Sequence, residues 1–226
     1  MKKNIFRRIA RWLKNNLLWR EGKGIILALV CSALLFYLVF PSLVIVPVVF
    51  FLFCLYFFRN PVRSFDRKLC TRDILLSPTD GEVLYVEDIK KNGRYARKVA
   101  IFLSPFDVHV NRIPMNGVVE KIDYKPGAFG YAKRPKSSLD NEHNDVTIMT
   151  DCGPVLIRQI SGMLARRICC WVHLGQRVVM AEEYGMIKFG SRVEIFVPAA
   201  VQLFVTPGQR VWAGKTMVGK WRSVYE

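Results

Sequence analysis

Apolar and polar positions divide this 226-residue chain into stretches with different periods. In residues 4–20, Ile5, Phe6, Ile9, Trp12, Leu13, Leu17 and Leu18 recur at three- and four-residue spacing, with Arg and Lys between them. That spacing predicts a basic amphipathic helix suited to a membrane interface. Residues 25–58 then run for 34 positions without a charged side chain. One helical span needs about 20 residues and two need about 40. Pro41 and Pro47 interrupt helical hydrogen bonding near the middle of the run. The expected form is a short helical hairpin that either crosses twice or re-enters. From Ile74 onward the chain reads as short apolar or alternating runs bounded by Gly, Pro, Asn and Asp. Strands are expected at 74–76, 81–88, 99–103, 117–123, 145–149, 155–160, 169–172, 186–189, 193–197 and 201–205. The expected fold class is mainly β: a compact sandwich or barrel of about 150 residues, large enough for its own core. The expected division is a surface helix at 1–24, the hairpin at 25–58, a basic linker at 59–72 and the β-rich domain at 73–226.

Charge sharpens this picture. The chain carries a net +16, placed unevenly. Residues 1–24 hold eight Lys or Arg against Glu21, and residues 59–72 hold five against Asp66. The basic excess therefore brackets the apolar run, which puts both flanks on the cytoplasmic side. An anionic membrane surface suits that pattern, each basic group near headgroups contributing about 1 kcal/mol. No nucleic-acid motif accompanies the charge, so nucleic acid is not an expected partner. The apolar run is too long for a signal peptide and no small-residue cleavage site follows it. The six cysteines form no CxxC pair. They are expected as reduced packing residues of a cytoplasm-facing protein. His109, His143 and His173 lack metal-ligand spacing, and no metal is expected.

Two features of the β-rich part carry more information. Gly175-Gln176-Arg177-Val178 is echoed by Gly208-Gln209-Arg210-Val211, 33 residues on. Such Gly-x-x-Val repeats are similar to those of lipoyl- and biotinyl-carrier barrels. No carrier lysine stands in the usual Met-Lys context, so a related architecture without that function is expected. The second feature is Gly190-Ser191, between two expected strands at 186–189 and 193–197. Its ordinary reading is a hairpin turn. Its unusual option is chemical. The Ser191 hydroxyl can reach the carbonyl carbon of the preceding residue, and glycine has no Cβ to block the approach.

Candidate chemistry also lies in Ser77-Pro78-Thr79-Asp80-Gly81, where an acid sits in a turn before a strand, and in Asp107-Val108-His109, two positions apart and on one face if extended. A polar, basic loop follows at 131–144. Each has a plain structural reading as turn, core histidine or solvated loop.

Taken in order, SPTDGEV (77–83), FLSPFDVHVNRIPMNGVV (102–119), NEHN (141–144) and GMIKFGSRVEIFVP (185–198) resemble the short bacterial and archaeal form of the phosphatidylserine decarboxylase proenzyme family. The resemblance runs from about Phe58 to the C-terminus. It implies a pyruvoyl-dependent carboxy-lyase that cuts itself at Gly190-Ser191. Ser191, the pyruvoyl precursor, would attack the Gly190 carbonyl to give an ester. β-Elimination would leave a dehydroalanine, and hydrolysis with loss of ammonia would leave a pyruvoyl group on the chain beginning at 191. The products 1–190 and 191–226 would remain together as a heterodimer, alone or in a larger oligomer. The pyruvoyl ketone would form a Schiff base with the serine headgroup of phosphatidylserine and accept electrons as CO2 leaves, giving phosphatidylethanolamine. Asp80 and Asp107 match family acids implicated in base chemistry. His109 matches the first His of an HxxH pair and is associated with decarboxylation. The second His, associated with self-cleavage, is Arg112 here. Either His109 serves both reactions or an acid such as Asp80 acts on Ser191 directly. The expected partners are an anionic phospholipid membrane and the lipid substrate, with the enzyme at the cell membrane facing the cytoplasm. The alternatives are a membrane-tethered, non-catalytic lipid-binding β-barrel, a serine hydrolase using Ser191, and a pyruvoyl enzyme acting on another phospholipid headgroup.

Overall fold

A computed structural model describes residues 17–63, 72–89, 94–130, 140–162, 167–188 and 191–222. The chain divides into two compact units between Val62 and Arg63. The first unit is helical: α1 (Leu17–Val39), a 3-10 turn (Pro41–Val44) and α2 (Ile45–Phe57). Pro41 opens the turn and Pro47 sits in the first turn of α2, where backbone N–H groups have no intrahelical partner to lose. Leu29, Val30 and Ala33 of α1 line a groove with Pro47, Val48 and Phe51 of α2, so the two helices pack side by side. Glu21–Val39 is long and apolar enough to cross a membrane, and Pro41–Phe57 is shorter. The chain is already helical at Leu17, so the boundary expected at 24/25 falls inside α1. The rest of the expected surface helix lies outside the described residues.

The second unit is built from β1 (Ile74–Leu76), β2 (Gly81–Asp88), β3 (Arg97–Leu103), β4 (Val110–Arg112), β5 (Gly117–Lys125), β6 (His143–Thr150), β7 (Gly153–Ser161), β8 (Ile168–Cys170), β9 (Arg177–Val178), β10 (Glu183–Ile187), β11 (Ser191–Val197), β12 (Val201–Leu203), β13 (Arg210–Val211) and β14 (Met217–Trp221). An eight-stranded sheet runs β13-β2-β3-β11-β7-β6-β5-β9, with two three-stranded sheets, β1-β14-β12 and β4-β10-β8. The mainly β architecture is as expected. Alternation drives it: Val99 and Ile101 of β3, Val193 and Ile195 of β11, Ile157 of β7, and Val146 and Ile148 of β6 form one buried apolar face.

The sheet order is a palindrome, and the registers show why. Glu82 of β2 pairs with Phe102, and a bulge follows between Val83 and Tyr85. Val118 of β5 pairs with Met149, and a bulge follows between Val119 and Lys121. Leu75 pairs with Gly219 as Asn111 pairs with Gly185. The Arg112 N–H donates to Pro78 O at 2.8 Å, and the Leu76 N–H donates to Pro114 O at 2.9 Å. Two halves are thus related by an internal pseudo-twofold. One is continuous, 110–187. The other is assembled from 74–103 and 191–221. The echoed Gly-Gln-Arg-Val segments form β9 and β13, the two edge strands of the large sheet. Gly175 and Gly208 precede them with φ of 78° and 83°, a conformation that favours glycine.

In the continuous half, β6 and β7 are joined by Asp151 and Cys152 alone. In the other half the matching strands, β3 and β11, are parted, and the whole continuous half lies between them in sequence. The expected hairpin at Gly190-Ser191 does not form. β10 and β11 belong to different sheets, because both edges of β11 are already taken by β3 and β7. Ser191 starts a strand instead of occupying a turn. Strands β4, β9, β13 and β14 were not expected. The first three are two or three residues long, and β14 carries Gly219 in its middle.

Candidate active site

Ser191 is the first residue of β11, opposite Leu103 on one side and Ser161 on the other. It is fully buried, and its Oγ has no hydrogen-bond partner among the described residues. A buried hydroxyl is nearly always bonded, so an orphan calls for an explanation. Gly190 lies outside the described residues.

The same sheet face carries a chain of buried polar side chains. Gln159 Nε2 donates to Asn111 Oδ1 at 2.8 Å, and Asn111 Nδ2 donates to Thr79 Oγ1 at 3.2 Å. Asn144 Nδ2 donates to Gln159 Oε1 at 3.3 Å. Ser161 Oγ donates to Glu142 O at 3.1 Å. Gly185 leaves room for this chain. A Cβ there would stand 2.9 Å from Gln159 Nε2 and 2.4 Å from Cys169 O.

Asp80 lies in the turn before β2. Its Oδ1 accepts the Ala213 N–H at 2.8 Å, and its Oδ2 is paired with Arg63 at 2.7 Å, with both side chains buried. Asp107 closes a turn of its own. Its Oδ2 accepts the Ser104 N–H at 2.8 Å and its Oδ1 meets the Arg210 guanidinium. That hydrogen bond raises the Arg210 pKa. The segment 107–109 is a turn and not extended, so the shared face that an extended backbone would give does not arise: His109 Nδ1 meets the Asp107 backbone carbonyl at 2.9 Å. A carbonyl only accepts, so Nδ1 carries the hydrogen in this bond, and Nε2 is the other ring nitrogen through which a proton could pass.

Arg112 donates to Ala181 O at 2.9 Å and pairs with Glu183 at 3.5 Å. Burial lowers its pKa, Glu183 raises it and Arg63 lowers it further. A guanidinium still keeps its proton, so Arg112 is no substitute for a histidine base. His143 is buried on β6, its Nδ1 at 2.8 Å from Asn141 O, and it faces away from Asn144 by strand alternation.

The structure thus knits Asp80, Asp107 and His109 into adjoining turns through Arg112 N–H to Pro78 O and through β13, which holds both Arg210 and, just beyond it, Ala213. The amide chain then joins Thr79 to the sheet face of Ser191. Four residues that matter here escaped sequence reasoning: Arg63, Arg210, Asn111 and Gln159. Gln159 had a usable signal, since it stands at an inward position after Val155 and Ile157, where a polar side chain needs partners. Arg63 had none beyond its share of the linker's charge. Among the described residues no group of three or more His, Cys, Asp or Glu is arranged to hold a metal ion.

Comparison with known proteins adds the family. Residues 50–219 match the model of the phosphatidylserine decarboxylase family. The chain is 41% identical over 189 residues to the phosphatidylserine decarboxylase proenzyme of Solibacter usitatus, covering 84% of this chain and 89% of that one. It is 38% identical over 206 residues to the proenzyme of Syntrophus aciditrophicus, covering 88% and 95%.

Proposed function

The chain belongs to the phosphatidylserine decarboxylase family, and from that premise we propose that it matures by cutting itself between Gly190 and Ser191 and then forms phosphatidylethanolamine and CO2 with a pyruvoyl group at position 191. The observation that carries this reading is the buried Ser191 Oγ, unpartnered among the described residues; the motif resemblance is what points to Gly190-Ser191 as the bond to be cut. A structural serine would satisfy its hydroxyl, whereas a nucleophile is kept available.

In self-cleavage, Ser191 Oγ adds to the Gly190 carbonyl carbon as its proton passes to a base. The peptide C–N bond breaks, leaving an ester at Oγ and an amine at residue 191. Loss of the residue 191 Cα proton expels the Gly190 carboxylate. Water then adds, ammonia leaves, and a ketone remains. When present, that carbonyl supplies an electrophile for the headgroup amine and a sink for the electron pair freed as CO2 departs. His109, with Nε2 able to carry a proton, is assigned to return one to the headgroup carbon. Asp107 holds the turn that orients it. Two bases are available for the first step, Asp80 and His109. They separate experimentally: Asp80→Asn is expected to stop self-cleavage if Asp80 is the base, while His109→Ala would then slow decarboxylation more than cleavage.

The pairing of fragments 1–190 and 191–226 has a simple support. β11 is hydrogen-bonded on both edges, to β3 and β7. β13 pairs with β2, and β14 with β1. Breaking the peptide at 190 leaves all of these ladders in place. Glu21–Val39 supports placing the enzyme at a membrane, where its substrate lies.

The test is intact-mass spectrometry of the purified chain. The expected result is two species, one ending at Gly190 and one starting with a pyruvoyl group at 191. A single intact mass from folded protein would overturn the reading.

A further inference from the structure

The large sheet has two ends. Gly81, Leu103, Ser191, Ser161 and His143 lie at one, and Arg97, Val197, Gly153 and Thr150 at the other. Exposed aromatic side chains gather at the first. Phe106 (66% exposed) follows β3, Tyr124 (55%) ends β5, Phe129 (42%) lies just beyond it and Trp212 (49%) follows β13. Another exposed aromatic, Phe204, lies after β12 in the opposite layer. The second end exposes Val118, Met149 and Val179, and no aromatic among the described residues.

The backbone that carries these side chains is tied down, and the side chains face solvent all the same. The Phe106 N–H donates to Ser104 Oγ at 3.3 Å within the Asp107 turn. Tyr124 OH donates to Glu142 Oε1 at 2.8 Å. Phe129 adjoins Gly130, whose N–H and C=O both bond the Asn141 amide, at 3.0 and 2.9 Å. The backbone N–H of Trp212 donates to Thr216 Oγ1 at 2.9 Å. The pseudo-twofold supplies an internal control. Its counterpart of Trp212 is Val179, and its counterpart of the Phe106 turn is the two-residue link Asp151–Cys152. The same backbone therefore folds without aromatics at its other end.

We propose that this ring of Phe106, Tyr124, Phe129 and Trp212 is the face with which the β unit contacts an anionic lipid bilayer. Aromatic side chains favour the headgroup level of a membrane. The unit carries 25 Lys or Arg against 17 Asp or Glu, a net +8 that complements anionic headgroups. Half-exposed Arg210 and exposed Lys215 stand beside Trp212. The proposal rests on the reading of Ser191 as the active-site position, because docking at this end brings headgroups to it.

The test uses the full cleaved protein and Phe106→Ser/Trp212→Ser. Activity is compared on vesicles of phosphatidylserine with phosphatidylcholine and on dispersed short-chain phosphatidylserine. The expected result is about a tenfold fall in the ratio of vesicle to short-chain activity, the order expected for losing interfacial aromatics, with short-chain turnover kept. Independently of activity, bromolipid quenching of tryptophan fluorescence should be larger in the wild type than in Trp212→Phe on the same vesicles. Equal loss on both substrates, or equal quenching, overturns the proposal. So does a drop in oligomer size in detergent with unchanged quenching, which would make the ring a subunit contact. A wild type inactive on both substrates would sink the decarboxylase reading, while the quenching difference would still decide the docking.

Discussion

The two halves of the β unit share a backbone and differ at one end of the core. Thr79, Asn111 and Gln159 form the buried polar chain near Ser191. Their pseudo-twofold counterparts are Met115, Leu75 and Val197, all members of the apolar core. Ser191 itself corresponds to Gly153. Asp80 corresponds to Asn116, whose Oδ1 accepts the Met180 N–H at 2.7 Å as Asp80 Oδ1 accepts that of Ala213. The fold therefore needs an acceptor at this place but no charge. What is polar in one half and apolar in the other is excess over folding. That excess collects where the β6–β7 link has been opened in its counterpart, at the two chain crossings that carry 104–109 out and Ser191 back.

Removing the excess hydroxyl should have the largest effect. Ser191→Ala is expected to abolish self-cleavage and CO2 release while leaving a folded, intact chain, which mass spectrometry and circular dichroism would show together. Next comes Asp80→Asn with Arg63→Gln. Changing both members avoids a buried unpaired charge, which alone costs about 3–5 kcal/mol. Because Asn116 already does the structural part, stability should move by no more than about 1 kcal/mol. The rate of the step that uses the carboxylate should fall about 10²–10⁴-fold. A clear loss of stability in the double variant, with self-cleavage still at the wild-type rate, would return Asp80 to a structural role.

Part of this was legible in the sequence. The uncharged run with its two prolines implied a helical hairpin, and alternation implied the β unit. The Ser77-Pro78-Thr79-Asp80-Gly81 run placed an acid in a turn before a strand, and Asp80 does lie in the turn before β2. The hairpin expected at Gly190-Ser191 failed because strand pairing is decided by which edges remain open, and β11 had none left for β10. The repeat was visible only as Gly-Gln-Arg-Val. It resides in backbone registers and bulges, which many side chains permit, and glycine was required where close approach leaves no room. A Cβ at Gly81 or Gly117 would stand 2.1 or 2.4 Å from a carbonyl oxygen of the next strand. Arg63 was invisible because its partner is 17 residues away and fixed by tertiary structure.

The polar chain offers a graded break of the comparison. Gln159→Leu leaves Asn111 Oδ1 and Asn144 Nδ2 without their recorded partner, and each stranded group costs about 1–3 kcal/mol. Copying the other half should recover much of that loss. Thr79→Met and Asn111→Leu reproduce Met115 and Leu75, and Gln159→Leu puts an apolar side chain where the other half has Val197. Urea midpoints in detergent, measured in the uncleavable Ser191→Ala background, should fall for the single change and rise again for the triple. Self-cleavage, measured with Ser191 restored, should stay slow in both. Normal cleavage in the triple variant would make the chain an accident of packing.

The smallest expected effect concerns Tyr184, whose pseudo-twofold counterpart is Val218, and both are fully buried. The phenol oxygen has no hydrogen-bond partner among the described residues. Burial pushes its pKa well above the ordinary tyrosine value, with nearby Cys170 adding to the shift. A raised folded value means that the folded state holds this proton more tightly than the unfolded chain. The associated stability is full below about pH 10 and is lost as pH rises through the folded value. Tyr184→Phe removes both the stranded hydroxyl and this alkaline loss. It should be more stable than the parent by about 1 kcal/mol at pH 8, and the gap should widen by pH 11. Urea midpoints at the two pH values check it. A variant that is less stable at pH 8, with the same pH dependence as the parent, would show that the hydroxyl is bonded, and that this half uses its tyrosine where the other does without one.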